Sequence, residues 1–123
     1  MEKVLAFIAK KMKSAGVNYE LGEWKSKVVY PYFVGNYTHN PPQDEDGQET
    51  ATLTLDGFHR GTVLELEIAR GIIENTFTYC TEILDDGSAV DVEYAGCLVI
   101  PKTGDAELKR IEITLNIKKW RTF

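Results

Sequence analysis

The chain has 123 residues, of which 43% are hydrophobic and 27% are charged, a balance typical of one globular domain. Its net charge of −5 argues against a nucleic-acid-binding face, which requires a basic surplus. The two cysteines, Cys80 and Cys97, form no CxxC pair, so the sequence favours reduced thiols over a disulfide or a metal knuckle. No apolar run matches a membrane span or a signal peptide, so we expect a cytoplasmic protein.

The N-terminal part of the chain predicts a helix followed by two strands. Apolar residues recur at helical spacing from Glu2 to Ser14, and Gly16 follows as a stop signal. Residues 27–37 are rich in β-formers and predict a strand, which Pro31 places at a sheet edge or bends. Apolar and polar residues alternate over 49–57, which predicts a second strand with one buried face.

The segment between these strands differs in composition. Residues from Thr38 to Gln48 include two prolines and the acidic run Asp44, Glu45 and Asp46. Such a segment offers little apolar area to offset the entropy of ordering. The pattern therefore predicts a mobile, solvated loop, and the acidic run does not fit the ligand order of a calcium-binding EF-hand.

Residues Gly57 to Gly61 are predicted to turn the chain, and a second helix is predicted after Gly61. Thr62 and Glu65 have the spacing of a capping box, and the helical pattern extends to about Phe77. Ile68 and Ile72 widen its apolar stripe, which predicts a helix that is covered on more than one side.

The C-terminal part predicts two more strands, over 89–101 and 107–120. Tyr94 and Leu98 are expected on the same face of the first, with a bulge at Gly96. Strand pairs joined by short turns favour an antiparallel sheet, and amphipathic helices need an apolar face to pack on. We therefore predict a single α+β domain spanning residues 1–123, in the order α-β-β-α-β-β. An antiparallel sheet of about four strands would carry both helices on one face.

The sequence lacks a recognisable catalytic or metal-binding motif. His39 and His59 are expected in an exposed loop and a turn, without the spacing of metal ligands. Arg60 lies between glycines before the second helix, where an exposed turn is favoured over an anion site. We therefore expect no catalytic, cofactor-binding or metal-binding residues and no enzymatic activity.

Carboxylates on the second helix have simpler explanations than acid–base catalysis. Glu65 fits the capping pattern, and Glu67 and Glu74 share a helix face with Arg70. We expect a solvated, ion-paired face here.

Several segments resemble small proteins encoded in the tail gene clusters of prophages of Gram-positive bacteria. These segments are Tyr30–Gly35, the Pro41–Gly47 loop, Thr52–Gly57, Arg60–Gly61 with the following helix, and the closing Lys118–Trp120. The order of elements is similar to that of the tail-terminator, or tail-completion, proteins of long-tailed bacteriophages. The resemblance implies a homo-oligomeric, hexameric ring that caps the tail tube and joins it to the head connector protein. Other head–tail joining or minor tail proteins share this size and fold.

The physical properties of the chain are compatible with that role. Asp44, Glu45 and Asp46 would repel DNA from a ring lumen, so that DNA passes without being tightly bound. Ile68 and Ile72 are candidate interface residues. We expect no cofactor and no membrane partner, and a location in the host cytoplasm and then in the virion tail. The alternative is a small-ligand-binding module or enzyme that uses the sheet face and Arg60.

Overall fold

The computed structural model describes residues 1–40, 48–100 and 107–120. It contains two helices and six strands, which confirms the α+β class. In chain order, these elements are α1 (Glu2–Ser14), β1 (Tyr19–Leu21), β2 (Tyr32–Asn40), β3 (Gln48–Arg60), α2 (Val63–Phe77), β4 (Cys80–Ile83), β5 (Ala89–Ile100) and β6 (Leu108–Trp120).

The strands form one mixed sheet in the order β1-β2-β3-β6-β5-β4. Strands β1 and β2 pair in parallel, and the other neighbours pair antiparallel. The predicted four-stranded antiparallel sheet and the order α-β-β-α-β-β are therefore wrong. The reason is that β1 and β4 have only three and four residues, which is too short for a sequence pattern to show.

Helix α1 has the predicted bounds and the predicted end. Val4, Leu5, Ile8 and Met12 are its buried residues. Gly16 has φ +79°, the amide of Gly16 donates to the carbonyl of Lys13, and the amide of Val17 donates to the carbonyl of Met12. This pair of bonds is a Schellman motif, which requires a residue with positive φ and so favours glycine.

A single core lies between the sheet and the two helices. Alternate residues of β3 and β6, among them Leu53, Leu55, Ile113 and Leu115, belong to one buried cluster that also contains residues of α1 and α2. The opposite face of the sheet carries residues such as Thr52, Thr54, Thr114 and Asn116, none of which is fully buried. Both helices therefore cover the same face, and neither described helix lies on the other face, here called the open face.

Gly57 lies inside β3 and not in the predicted turn. It pairs with Phe33 on β2 and Ile111 on β6. A Cβ atom at this position would lie 2.4 Å from Cε1 of Phe33, whose side chain is fully buried. Glycine is therefore present to make room for the Phe33 ring, and β3 continues to Arg60.

The predicted bulge in β5 is confirmed and changes which residues face the helices. The register shifts between Tyr94 and Gly96, and Gly96 has φ +136°. Because one residue is inserted, Leu98 falls on the open face, where it pairs with Glu112, although the alternation predicted it beside Tyr94.

Strand β2 begins after Pro31 and extends three residues beyond its predicted C-terminal end at residue 37. The strand includes Thr38 to Asn40, and β3 begins at Gln48, so the predicted loop over Thr38–Gln48 is too long. Residues 41–47, which include Asp44, Glu45 and Asp46, lie outside the described residues.

Neither described helix is long and apolar enough to cross a membrane.

Candidate functional site

The outer face of α2, formed by Leu64, Ile68 and Ile72, is apolar and exposed. These side chains are 69%, 59% and 40% exposed, respectively, and follow one another at intervals of four residues. The buried residues Leu66 and Ile73 lie on the opposite side of the helix, against the sheet. The prediction that α2 is covered on more than one side is wrong for the isolated chain, because no described element packs on this outer face.

Gly71 lies within the outer face of α2, three residues after Ile68. A Cβ atom at Gly71 would meet no other atom within 4 Å. Glycine inside a helix is less favourable than alanine by about 1 kcal/mol. Packing among the described residues does not explain this glycine, whereas a second surface that approaches the helix closely would explain it. The sequence pattern alone did not single out this residue.

An ion-paired cluster around Arg70 borders the outer face of α2 and confirms the predicted pairing. The Arg70 guanidinium lies 2.5 Å from Glu67 and 2.8 Å from Glu74, and it donates to the Tyr94 hydroxyl on β5 at 2.8 Å. Hydrogen bonds from Arg70 lower the pKa of Glu67, and bonds to Glu67, Glu74 and Tyr94 raise the pKa of Arg70. The cluster ties α2 to β5 and fixes the orientation of the outer face.

The start of α2 is linked to the end of β3 by a buried histidine. Thr62 caps the helix by accepting from the Glu65 amide at 3.2 Å, as predicted. The Glu65 carboxylate, however, lies 2.5 Å from Nε2 of His59, which is only 5% exposed. The prediction that His59 is an exposed turn residue is therefore wrong, because β3 continues through this position and turns the imidazole towards the core.

Four aromatic rings form a second candidate surface, here called the aromatic patch. It consists of Trp24, Tyr30, Tyr32 and Phe58. Tyr32 is central, with its ring centroid 4.9 Å from that of Trp24, 5.6 Å from that of Tyr30 and 5.2 Å from that of Phe58. The sequence pattern did not place Trp24 and Phe58 beside the two tyrosines.

Charged side chains lie beside the aromatic patch. Arg110 lies over the Phe58 ring at 5.8 Å and pairs with Asp56 at 2.8 Å. Arg60 is close enough to Tyr32 to affect its ionisation, although burial dominates and raises the pKa of the Tyr32 hydroxyl. Arg60 itself is exposed at the end of β3 and does not lie in the predicted turn.

The remaining candidate residues do not assemble into a reactive centre in the described part of the chain. His39 lies on β2 and contacts Glu49 at 3.0 Å, so it is not in a loop as predicted. Cys80 is buried and Cys97 is exposed, and burial raises the pKa of both thiols. Within residues 1–40, 48–100 and 107–120, no three potential ligands are grouped around a metal-sized space.

One open cleft lies between α1 and the β1–β2 edge. It has a volume of about 430 Å³ and a largely apolar lining that includes Leu5, Ala9, Tyr19 and Leu21. Burial raises the pKa of Tyr19 to about 12, so its hydroxyl stays neutral. Arg60 does not line this cleft, so the cleft is not the site considered as the alternative from the sequence.

No family model matches the chain, and no curated protein matches it.

Proposed function

We propose that this chain is a structural subunit that works by self-assembly, in the role of a tail terminator that caps the tail tube of a long-tailed bacteriophage. In this role it forms a homo-oligomeric ring and binds the tail tube protein and the head connector protein. DNA passes through the ring without being tightly bound. The subunit is made in the bacterial host cytoplasm and becomes part of the virion tail.

The outer face of α2 is the observation that carries this proposal. Leu64, Ile68 and Ile72 expose apolar area along two turns, and the Arg70 cluster holds the helix in place beside them. Exposed apolar surface of this kind marks interaction sites, because burying it releases about 25 cal/mol per Å². A ring needs a heterologous contact, so this face would bind a different surface of the neighbouring subunit.

The sequence resemblance supports the specific tail role. The resemblance rests on the segment beginning at Tyr30, the segment ending at Gly57 and the helix after Gly61, which lie in or beside β2, β3 and α2. The net charge of −5 is compatible with a channel that does not hold DNA. These features favour an assembly subunit over an enzyme.

The capping role is tested by mixing the purified protein with purified tail tubes. We expect electron microscopy to show added density at one end of each tube, because a terminator recognises the terminal ring of the tube. The free protein, measured by light scattering, serves as the reference. Tubes without added density, together with a protein that remains monomeric at every concentration, would contradict the proposal and favour the ligand-binding alternative.

Replacing Gly71 by alanine separates folding from assembly. We expect Gly71→Ala to stabilise the isolated fold by up to about 1 kcal/mol, because alanine favours the helix and the Cβ atom meets no other atom. The same methyl group would obstruct a surface packed closely on α2, so self-association should weaken. Thermal unfolding and light scattering measure the two effects, and unchanged association would show that no partner approaches Gly71 closely.

A further inference from the structure

The aromatic patch lies at one end of the β2–β3 pair, and the connection between these strands lies at the other end. Tyr32 pairs with Phe58 at the first end, and Asn40 pairs with Thr50 at the other. The nine residues of β2 span about 26 Å between them, at roughly 3.3 Å per residue. A connection of seven residues, 41–47, that leaves and returns to the sheet extends at most about 14 Å. It therefore cannot reach the patch of its own chain.

The surface around the patch is apolar, and its border carries charged side chains of both signs. Val28, Val29 and Tyr30 are 45%, 53% and 37% exposed, which is unusual for three consecutive large residues. Lys27 follows Trp24 in the same exposed segment, and Arg60 lies near Tyr32. The indole N–H of Trp24 has no hydrogen-bond partner among the described residues, so ring contacts hold this side chain.

The connecting segment has the complementary chemistry. Its sequence begins with Pro41 and Pro42 and continues into Asp44, Glu45 and Asp46. Aromatic-lined surfaces bind extended proline-rich segments, since proline is already restricted in φ and loses little conformational entropy on binding. The acidic side chains would meet Lys27 and Arg60 at the border of the patch, and opposite charges speed and orient such an encounter.

We propose that the 41–47 segment of one copy docks on the aromatic patch of the next copy. Pro41 and Pro42 would contact the rings of Tyr30 and Tyr32, and the acidic run would face Lys27 and Arg60. This inference rests on the proposed function, since it names a contact through which the subunits associate. The two surfaces lie at opposite ends of β2 and β3, so the contact is heterologous and directs head-to-tail assembly into a ring or a filament.

The proposed contact is tested by titrating a synthetic peptide with the sequence of residues 38–50 into the protein. Trp24 and Trp120 are the two tryptophans, so a Trp120→Phe variant reports Trp24 fluorescence alone. We expect a saturable change with a midpoint below about 1 mM, which is within the range of weak specific binding. Raising the salt concentration should weaken binding, because exposed charges are screened.

Two controls identify the residues that are responsible for binding of the peptide. A peptide with both prolines replaced by alanine should bind at least about tenfold more weakly, because it loses the preformed extended conformation. Tyr30→Ala, at an exposed position before β2, should weaken the binding of the original peptide. If that variant does not fold, comparing the two peptides on the protein that retains Tyr30 still shows whether binding depends on the prolines.

The outcomes also separate this inference from the proposed function. No saturable change, or equal binding of the two peptides, would overturn the proposed contact even if the protein caps tail tubes. Proline-dependent binding of the peptide by a protein that does not cap tubes would support the contact and reject the tail role.

Discussion

Replacing Gly57 by alanine is expected to destabilise the fold by about 1–3 kcal/mol and to lower the melting temperature by roughly 5–15 °C. The added Cβ atom would lie 2.4 Å from Cε1 and 2.8 Å from Cδ1 of Phe33, and 3.1 Å from Cγ1 of Ile111. Phe33 is only 1% exposed, so its ring cannot move into solvent to relieve the overlap. The strands or the core must shift instead, which denaturant unfolding monitored by circular dichroism measures.

A double-mutant cycle identifies Phe33 as the cause. In a Phe33→Leu background, the cost of Gly57→Ala should fall by about 1 kcal/mol, because the ring edge that meets the new methyl group is absent. Gly71→Ala is the matched control, since the same substitution at the exposed glycine should not destabilise the fold. An equal loss of stability in both backgrounds would show that the overlap with Phe33 does not determine the effect.

The parts of the fold that were predictable have long, uninterrupted patterns. Helix α1 has four buried residues at helical spacing and a glycine where the Schellman motif needs one, so both of its ends were predicted correctly. Strand β6 alternates over 13 residues, which is long enough for the pattern to indicate a strand without reference to its neighbours. In these elements, local preference and tertiary packing favour the same structure.

The incorrect predictions concern positions whose local structure is determined by tertiary contacts. Strands β1 and β4 are short edge strands that are defined by pairing with β2 and β5. Gly57 resembled a turn residue because turns and crowded strand positions both favour glycine, and only the position of Phe33 distinguishes them. His59 was placed in the same predicted turn, so the burial of its imidazole was missed for the same reason.

The candidate surfaces were predictable only in part. Ile68 and Ile72 stood out in the sequence because they exceed what one buried stripe of α2 requires. Their exposure was not predictable, since a sequence pattern does not show whether the other side of a helix is covered. The aromatic patch joins residues from a loop and two strands, up to 34 positions apart, and only the pairing of Tyr32 with Phe58 brings them together.

Replacing Ile68 by aspartate is expected to weaken self-association strongly while leaving the isolated fold intact. Ile68 is 59% exposed at the centre of the outer face of α2, so the substitution should change the free energy of unfolding by no more than about 0.5 kcal/mol. In a contact that buries this face, the aspartate would be desolvated without a partner. Loss of a central interface residue costs about 2 kcal/mol or more, which corresponds to at least about a 30-fold weaker association.

Ile83→Asp is the matched control, because Ile83 is 64% exposed but lies on β4, away from the outer face of α2. It introduces the same charge in place of the same side chain, so it should leave association unchanged if α2 provides the contact. Light scattering over a concentration series measures association, and circular dichroism confirms folding of both variants. Equal weakening by the two substitutions would indicate a general effect of negative charge. Association of unchanged strength in Ile68→Asp would exclude the outer face of α2 as the contact between subunits, since an apolar interface does not tolerate an unpaired buried carboxylate.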